Sequence, residues 1–85
     1  MVKKRLPLVE VEWIDSGTTK GWRALDYYKD EKPLECRTAG YLVRRDKRVI
    51  VIVQSQNFND DGTLNQLGES MTIPRICVTH LRFLR

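Results

Sequence analysis

Histidine occurs once in these 85 residues, cysteine twice and proline three times, and no apolar run approaches the roughly 20 residues needed to span a membrane as a helix. With so few reactive side chains, catalysis has little to work with. Cys77 lies three residues from His80 on a strand-like run, where alternation sends their side chains to opposite faces. Three Cys and His residues fall short of the four ligands of a structural zinc site. Two cysteines do not make a disulfide framework, and Cys36 and Cys77 both lie among apolar neighbours where packed thiols fit. Met1-Val2-Lys3-Lys4-Arg5 has the charge of a secretory leader, but Pro7, Glu10 and Glu12 interrupt the apolar segment that should follow. The expectation is a non-enzymatic protein that stays in the cytoplasm and uses no cofactor.

What the chain does have is β pattern. Val9, Val11 and Trp13 alternate with Glu10 and Glu12, the period of a half-buried strand. A polar turn over residues 15–21 ends it. Residues 22–29 allow one or two helical turns with Trp22, Leu25 and Tyr28 on one face, and Pro33 closes that segment. Residues 34–44 then read as a long strand, with Gly40 marking a bend or a close backbone approach. The run Val49-Ile-Val-Ile-Val53 reads as a strand covered on both faces, and a short charged turn, Arg45-Asp46-Lys47, joins the two. Residues 57–68 are expected to be a flexible polar loop, followed by a short strand at Met71 and Ile73, a turn at Pro74 and a closing strand from Val78. Two long runs, a polar loop and two short runs are the rhythm of a mainly β fold: a small, strongly bent antiparallel β-barrel of the SH3 or Sm-like kind, with one short helical insertion after the first strand. Residues 1–85 form a single domain on this reading, with residues 1–6 a flexible basic N-terminus.

Barrels of this size bind more often than they catalyse. The net charge of +4, fifteen basic against eleven acidic residues, favours an anionic partner. Arginines supply planar forks for phosphate, and aromatic rings supply stacking surfaces. Asn57-Phe-Asn-Asp-Asp-Gly62 has the start of a calcium loop, but the twelfth position is Gly68 rather than Glu, so a polar hairpin loop is the better reading. Ser16-Gly-Thr-Thr-Lys-Gly21 has phosphate-loop composition without its spacing.

Trp13-x-Asp15-Ser16, Gly21-Trp22-Arg23, Cys36-Arg37-x-x-Gly40-Tyr41-Leu42 and Met71-Thr-Ile73-Pro74-Arg75, taken together, resemble a broad set of small bacteriophage and prophage proteins. The resemblance covers roughly residues 13–81 and implies a phage accessory protein working in a host bacterial cytoplasm. It suggests anti-defence work, because several small phage proteins are oligomeric sponges that sequester the nucleotide signals of bacterial immunity. The last segment is also similar to the closing strands of Sm-like proteins, whose rings bind RNA. The leading expectation is therefore a sponge for a cyclic oligonucleotide. Trp22 or Tyr41 would stack on a base, Arg23, Arg37 and Arg75 would meet phosphates, and Asp15 with Ser16 would read base edges. An RNA-binding Sm-like ring is the alternative, and a module that inhibits a host protein the second. The apolar run at residues 49–53 further suggests a homo-oligomer, joined by strand edges or by the Ile50/Ile52 face.

Overall fold

The computed structural model describes residues 5–84, so the expectations for residues 1–4 lie outside the described residues. Five strands follow one another: β1 (Leu8–Asp15), β2 (Leu34–Arg45), β3 (Val49–Phe58), β4 (Leu64–Pro74) and β5 (Val78–Phe83). They form a single antiparallel sheet in the order β4-β3-β2-β1-β5. A 3₁₀ turn, Leu25–Asp30, interrupts the connection after β1, and a second, Arg75–Cys77, joins β4 to β5.

The fold is mainly β, as its sequence pattern predicts, but the hydrogen-bonded ladder does not close into a barrel. β4 and β5 are the two edges of the sheet. The sheet instead curls over its own inner face. Val9 and Val11 of β1, Ile50 and Ile52 of β3 and Ile73 of β4 make one buried cluster, against which Trp13, Leu42, Cys77, Val78 and Leu81 pack. A flat single sheet leaves one face to water, whereas here Val9, Val11 and Ile50 are 0% exposed. Only curvature can bury them. Bulges supply it at Glu12/Trp13, Leu42/Arg44 and Gln56/Phe58, each inserting a local bend where the register shifts.

The alternation at the start of the chain is realised as written. Val9 and Val11 face inward, while Glu10 faces outward and holds Arg82 of β5 at 2.9 Å. Trp13 joins the core side, its indole N–H donating to the Thr38 hydroxyl at 3.0 Å. Gly40 marks a close backbone approach: a Cβ there would stand 2.9 Å from the Val53 carbonyl oxygen and 3.3 Å from Ile52 Cβ. Backbone cannot yield as a side chain tip does. Gly40→Ala is therefore expected to cost ~1–3 kcal/mol, lowering Tm by at least about 4 °C in a thermal melt. An unchanged Tm would mean that β2 and β3 can separate without penalty.

Four expectations are corrected. First, residues 57–68 are not one loop. β3 runs on through Phe58 and β4 starts at Leu64, because Asn57 sits at a bulge where its side-chain oxygen accepts the Gln66 N–H at 2.9 Å. The turn is confined to residues 59–63, with Gly62 at φ +89°. Second, the strand at Met71 and Ile73 is part of an 11-residue β4. Third, the helical segment begins at Leu25 rather than Trp22 and buries nothing. Fourth, Ile50 and Ile52 lie in the chain's own core, which removes that face from any contact between subunits. Cys36 and Cys77 are free and half-buried, and Cys77 packs on the core cluster. Near the start of the chain, the Arg5 guanidinium lies 5.6 Å from the centre of the Phe58 ring.

Candidate basic rim

The turn between β2 and β3 is organised by one carboxylate. Asp46 Oδ1 accepts the backbone N–H groups of Arg48 at 2.8 Å and Val49 at 2.9 Å, and Oδ2 takes the Arg44 Nε–H at 2.6 Å. Asp is favoured here because its short side chain can cap the backbone two and three residues ahead. These bonds favour the ionised form. The Val49 and Arg48 amides, followed by Arg44, lower the Asp46 pKa from 3.8 to about 2. A pKa depressed by folding adds stability that is complete above the unfolded value. It is lost as pH falls through the folded one. Asp46 should therefore destabilise the chain between pH 3.8 and about 2, and Asp46→Asn should flatten the stability curve in that window. Equal acid slopes in chemical unfolding of the two proteins would contradict this.

With its carboxylate committed, the turn leaves cations unmatched. The 3₁₀ turn at Arg75–Cys77 docks against it, the Arg75 N–H donating to the Arg48 carbonyl at 2.8 Å, because Pro74 at the end of β4 lies opposite Val49. Arg45 and Arg75 consequently line the same cleft of about 510 Å³ together with Asp46 and Lys47. They also line a second of about 220 Å³ with Val78, Thr79, His80 and Leu81. Among the described residues, no ion pair engages Arg45, Lys47 or Arg75. Three positive side chains on an open rim, with the nearby acid already bonded, attract anions.

The other expected site residues lie apart from this rim. Asp15 ends β1 and accepts the Ser16 N–H at 2.8 Å. Ser16 borders a cleft of about 490 Å³ at the base of the β1–β2 connection, with Thr18, Tyr28, Lys32 and Leu34 among its neighbours there. Trp22 stands on that connection 98% exposed. Arg23 donates to the Trp22 carbonyl at 2.9 Å and lies 5.6 Å from the centre of the Tyr27 ring. Arg37 is opposite Glu12 in the β1–β2 ladder and borders a cleft of about 390 Å³ with Trp13, Cys36 and Thr79. Tyr41 is half-buried in β2, between Leu8 and Val53 in register. The structure thus places Arg75 with Arg45 and Lys47, while Ser16 and Arg37 border separate clefts.

Compared with protein-family models, curated proteins and solved structures, the chain matches none. The rim has to be read from its own chemistry. Arg45, Lys47 and His80 are the members that sequence reasoning did not select. The charge run Arg44-Arg45-Asp46-Lys47-Arg48 was the signal for the first two, had one acid among four bases been weighed. His80 carried no such signal, because its approach to Arg45 depends on how the sheet curls. At the opposite end of the β3–β4 hairpin, Asp61 Oδ1 accepts from the Thr63 N–H and hydroxyl, which lower its pKa, and Asn59 donates to Thr63. Those oxygens are engaged in building the turn, as a hairpin loop requires. Among the described residues no cluster of His, Cys, Asp and Glu could hold a metal ion. No helix there is long and apolar enough to cross a membrane.

Proposed function

We propose that this chain is a non-enzymatic binding module for phosphate-bearing ligands of the nucleotide class, held at the rim of Arg45, Lys47 and Arg75. The observation that carries this reading is the shared cleft in which Arg45 and Arg75 meet while Asp46 is bonded to Arg44, Arg48 and Val49. Guanidinium groups bind phosphate through paired N–H donors, and an open rim lets a phosphate approach without stripping water from a buried site. His80 and Thr79 add further donors beside them. The architecture that fits this role is an SH3 or Sm-like barrel opened along its β4–β5 seam. Three residues bridge those strands, and both contribute side chains to one core cluster.

Within the nucleotide class, the likeness to phage proteins favours a cyclic oligonucleotide of bacterial immunity, captured by an anti-defence sponge. A sponge must enclose its ligand, so on this reading a second subunit closes the open rim. The openness itself favours the other reading, an RNA strand running across the rim as in Sm-like proteins. A titration with a cyclic oligonucleotide and with single-stranded RNA decides between them. Three cations on a single strand predict a salt slope near −2, from ~0.7 per phosphate contact. Saturable binding of the cyclic ligand, released intact on heating, supports the sponge. Steeper salt dependence with increasing RNA length supports the strand. No binding of either ligand at low salt would remove both.

A further inference from the structure

The chain exposes much more surface than its size warrants. A folded monomer of 10.0 kDa should expose roughly 5200 Å², whereas this one exposes 7129 Å². Its radius of gyration is 17.6 Å, against about 12 Å for a compact domain of this length. Part of that excess lies in the connection between β1 and β2, where every residue from 14 to 35 is exposed. Yet this arm is not composed like a solvated loop. It carries Trp22 at 98% exposure, Leu25 at 87%, and the edge-to-face pair Tyr27 and Tyr28 with ring centres 5.1 Å apart. Ile76, on the 3₁₀ turn before β5, is 94% exposed.

We infer that the arm is a self-association element: it docks on a second copy of this chain, reciprocally, with Trp22 and Leu25 of one copy covering Ile76 of the other. Area, charge and stability all favour a second copy as the occupant. A standard interface takes about 800 Å² and 20–30 residues from each partner, and aromatic side chains bury 150–250 Å² each. An arm of this length bearing a tryptophan and two tyrosines meets that requirement, and the surplus surface exceeds it. Across residues 15–33 the arm has four basic and four acidic residues, so two copies meet without repulsion and a polyanion gains nothing there. The whole net charge of +4 lies on the rest of the chain, including the rim. Among the described residues six buried hydrophobics also make a small core, and a shared interface adds the apolar burial that one copy lacks. Reciprocal docking closes the assembly at two copies, as an isologous contact does.

The inference does not rest on the nucleotide reading, and its test does not use a ligand. Sedimentation velocity at micromolar concentration should give a particle of twice 10.0 kDa. Thermal melts over a hundredfold concentration range should show Tm rising with protein concentration, because association stabilises by mass action. Trp22→Ser with Leu25→Ser should either give a folded particle of single-chain mass or, where folding depends on pairing, no folded protein. A wild-type particle of single-chain mass whose Tm is independent of concentration would overturn the inference, whatever the variant does. So would a double variant that remains a dimer.

Discussion

Replacing both Arg45 and Arg75 by alanine is expected to weaken nucleotide binding about a hundredfold while leaving Tm unchanged. Each guanidinium is set to make a charge-assisted contact, for which ~1.4 kcal/mol, a tenfold change in Kd, is a conservative value. Both residues are exposed, and neither forms a salt bridge among the described residues, so their removal costs the fold little. Arg75→Ala alone should lose about tenfold, and the salt slope should flatten with each cation removed. Arg37→Ala is the control, because Arg37 faces Glu12 across the ladder and lies outside the rim clefts. A double variant that binds as tightly as wild type would sink the rim as the site. An equal loss in Arg37→Ala would move the site to the β1–β2 side of the sheet.

The largest effect on stability is expected at Ile50. It is 0% exposed, opposite Ile73 in β4 and Arg45 in β2, and belongs to the cluster that the curled sheet encloses. Ile50→Ala should cost ~2–5 kcal/mol, through lost burial and the cavity left behind. A chain of 85 residues has of order 4–13 kcal/mol in total, so this variant is expected to lose a large fraction of its stability and to unfold at a much lower urea concentration than wild type. Ile50→Val, which removes one carbon, should cost ~0.5–1.5 kcal/mol and stay folded, giving a graded pair in urea unfolding. A cost below 1 kcal/mol for alanine would mean that the inner face of the sheet is open to water. Because Ile50 neighbours Arg45 on the adjacent strand, a folded Ile50→Val variant should also retain ligand affinity, which separates the core from the rim.

Strand identity was legible in the sequence because side-chain alternation is a local property. Val9-Glu10-Val11-Glu12 announces a strand and the face it buries, whereas the apolar run of residues 49–53 announces a strand without naming its inward face. Gly40 announced a bend or a close approach, and the structure makes it the approach, since only a residue without a Cβ fits against the Val53 carbonyl. The single acid within the charge run from Arg44 to Arg48 was also visible. What that acid does was not. Its oxygens could have paired any neighbouring cation, and only the turn geometry assigns them to Arg44 and to two backbone amides, leaving Arg45 and Lys47 unmatched.

Where strands end was harder to read, because polar residues such as Asn57 and Gln66 can pair across a ladder as well as fill a loop. The meeting of Arg45 with Arg75 was hidden as well. Thirty positions apart in the chain, they come together because β3 and β4 pair along their length and bring Pro74 opposite Val49. Barrel closure depends on contacts between the two edge strands of a sheet, here β4 and β5, which no local pattern encodes. By itself the sequence determined that the chain is built of strands and, for β1, which face turns inward. Only the tertiary structure decided that the sheet curls without closing, that Ile50 and Ile52 turn inward, and that Trp22 is left outside, because long-range strand pairing and burial choose among arrangements that local periodicity leaves equal.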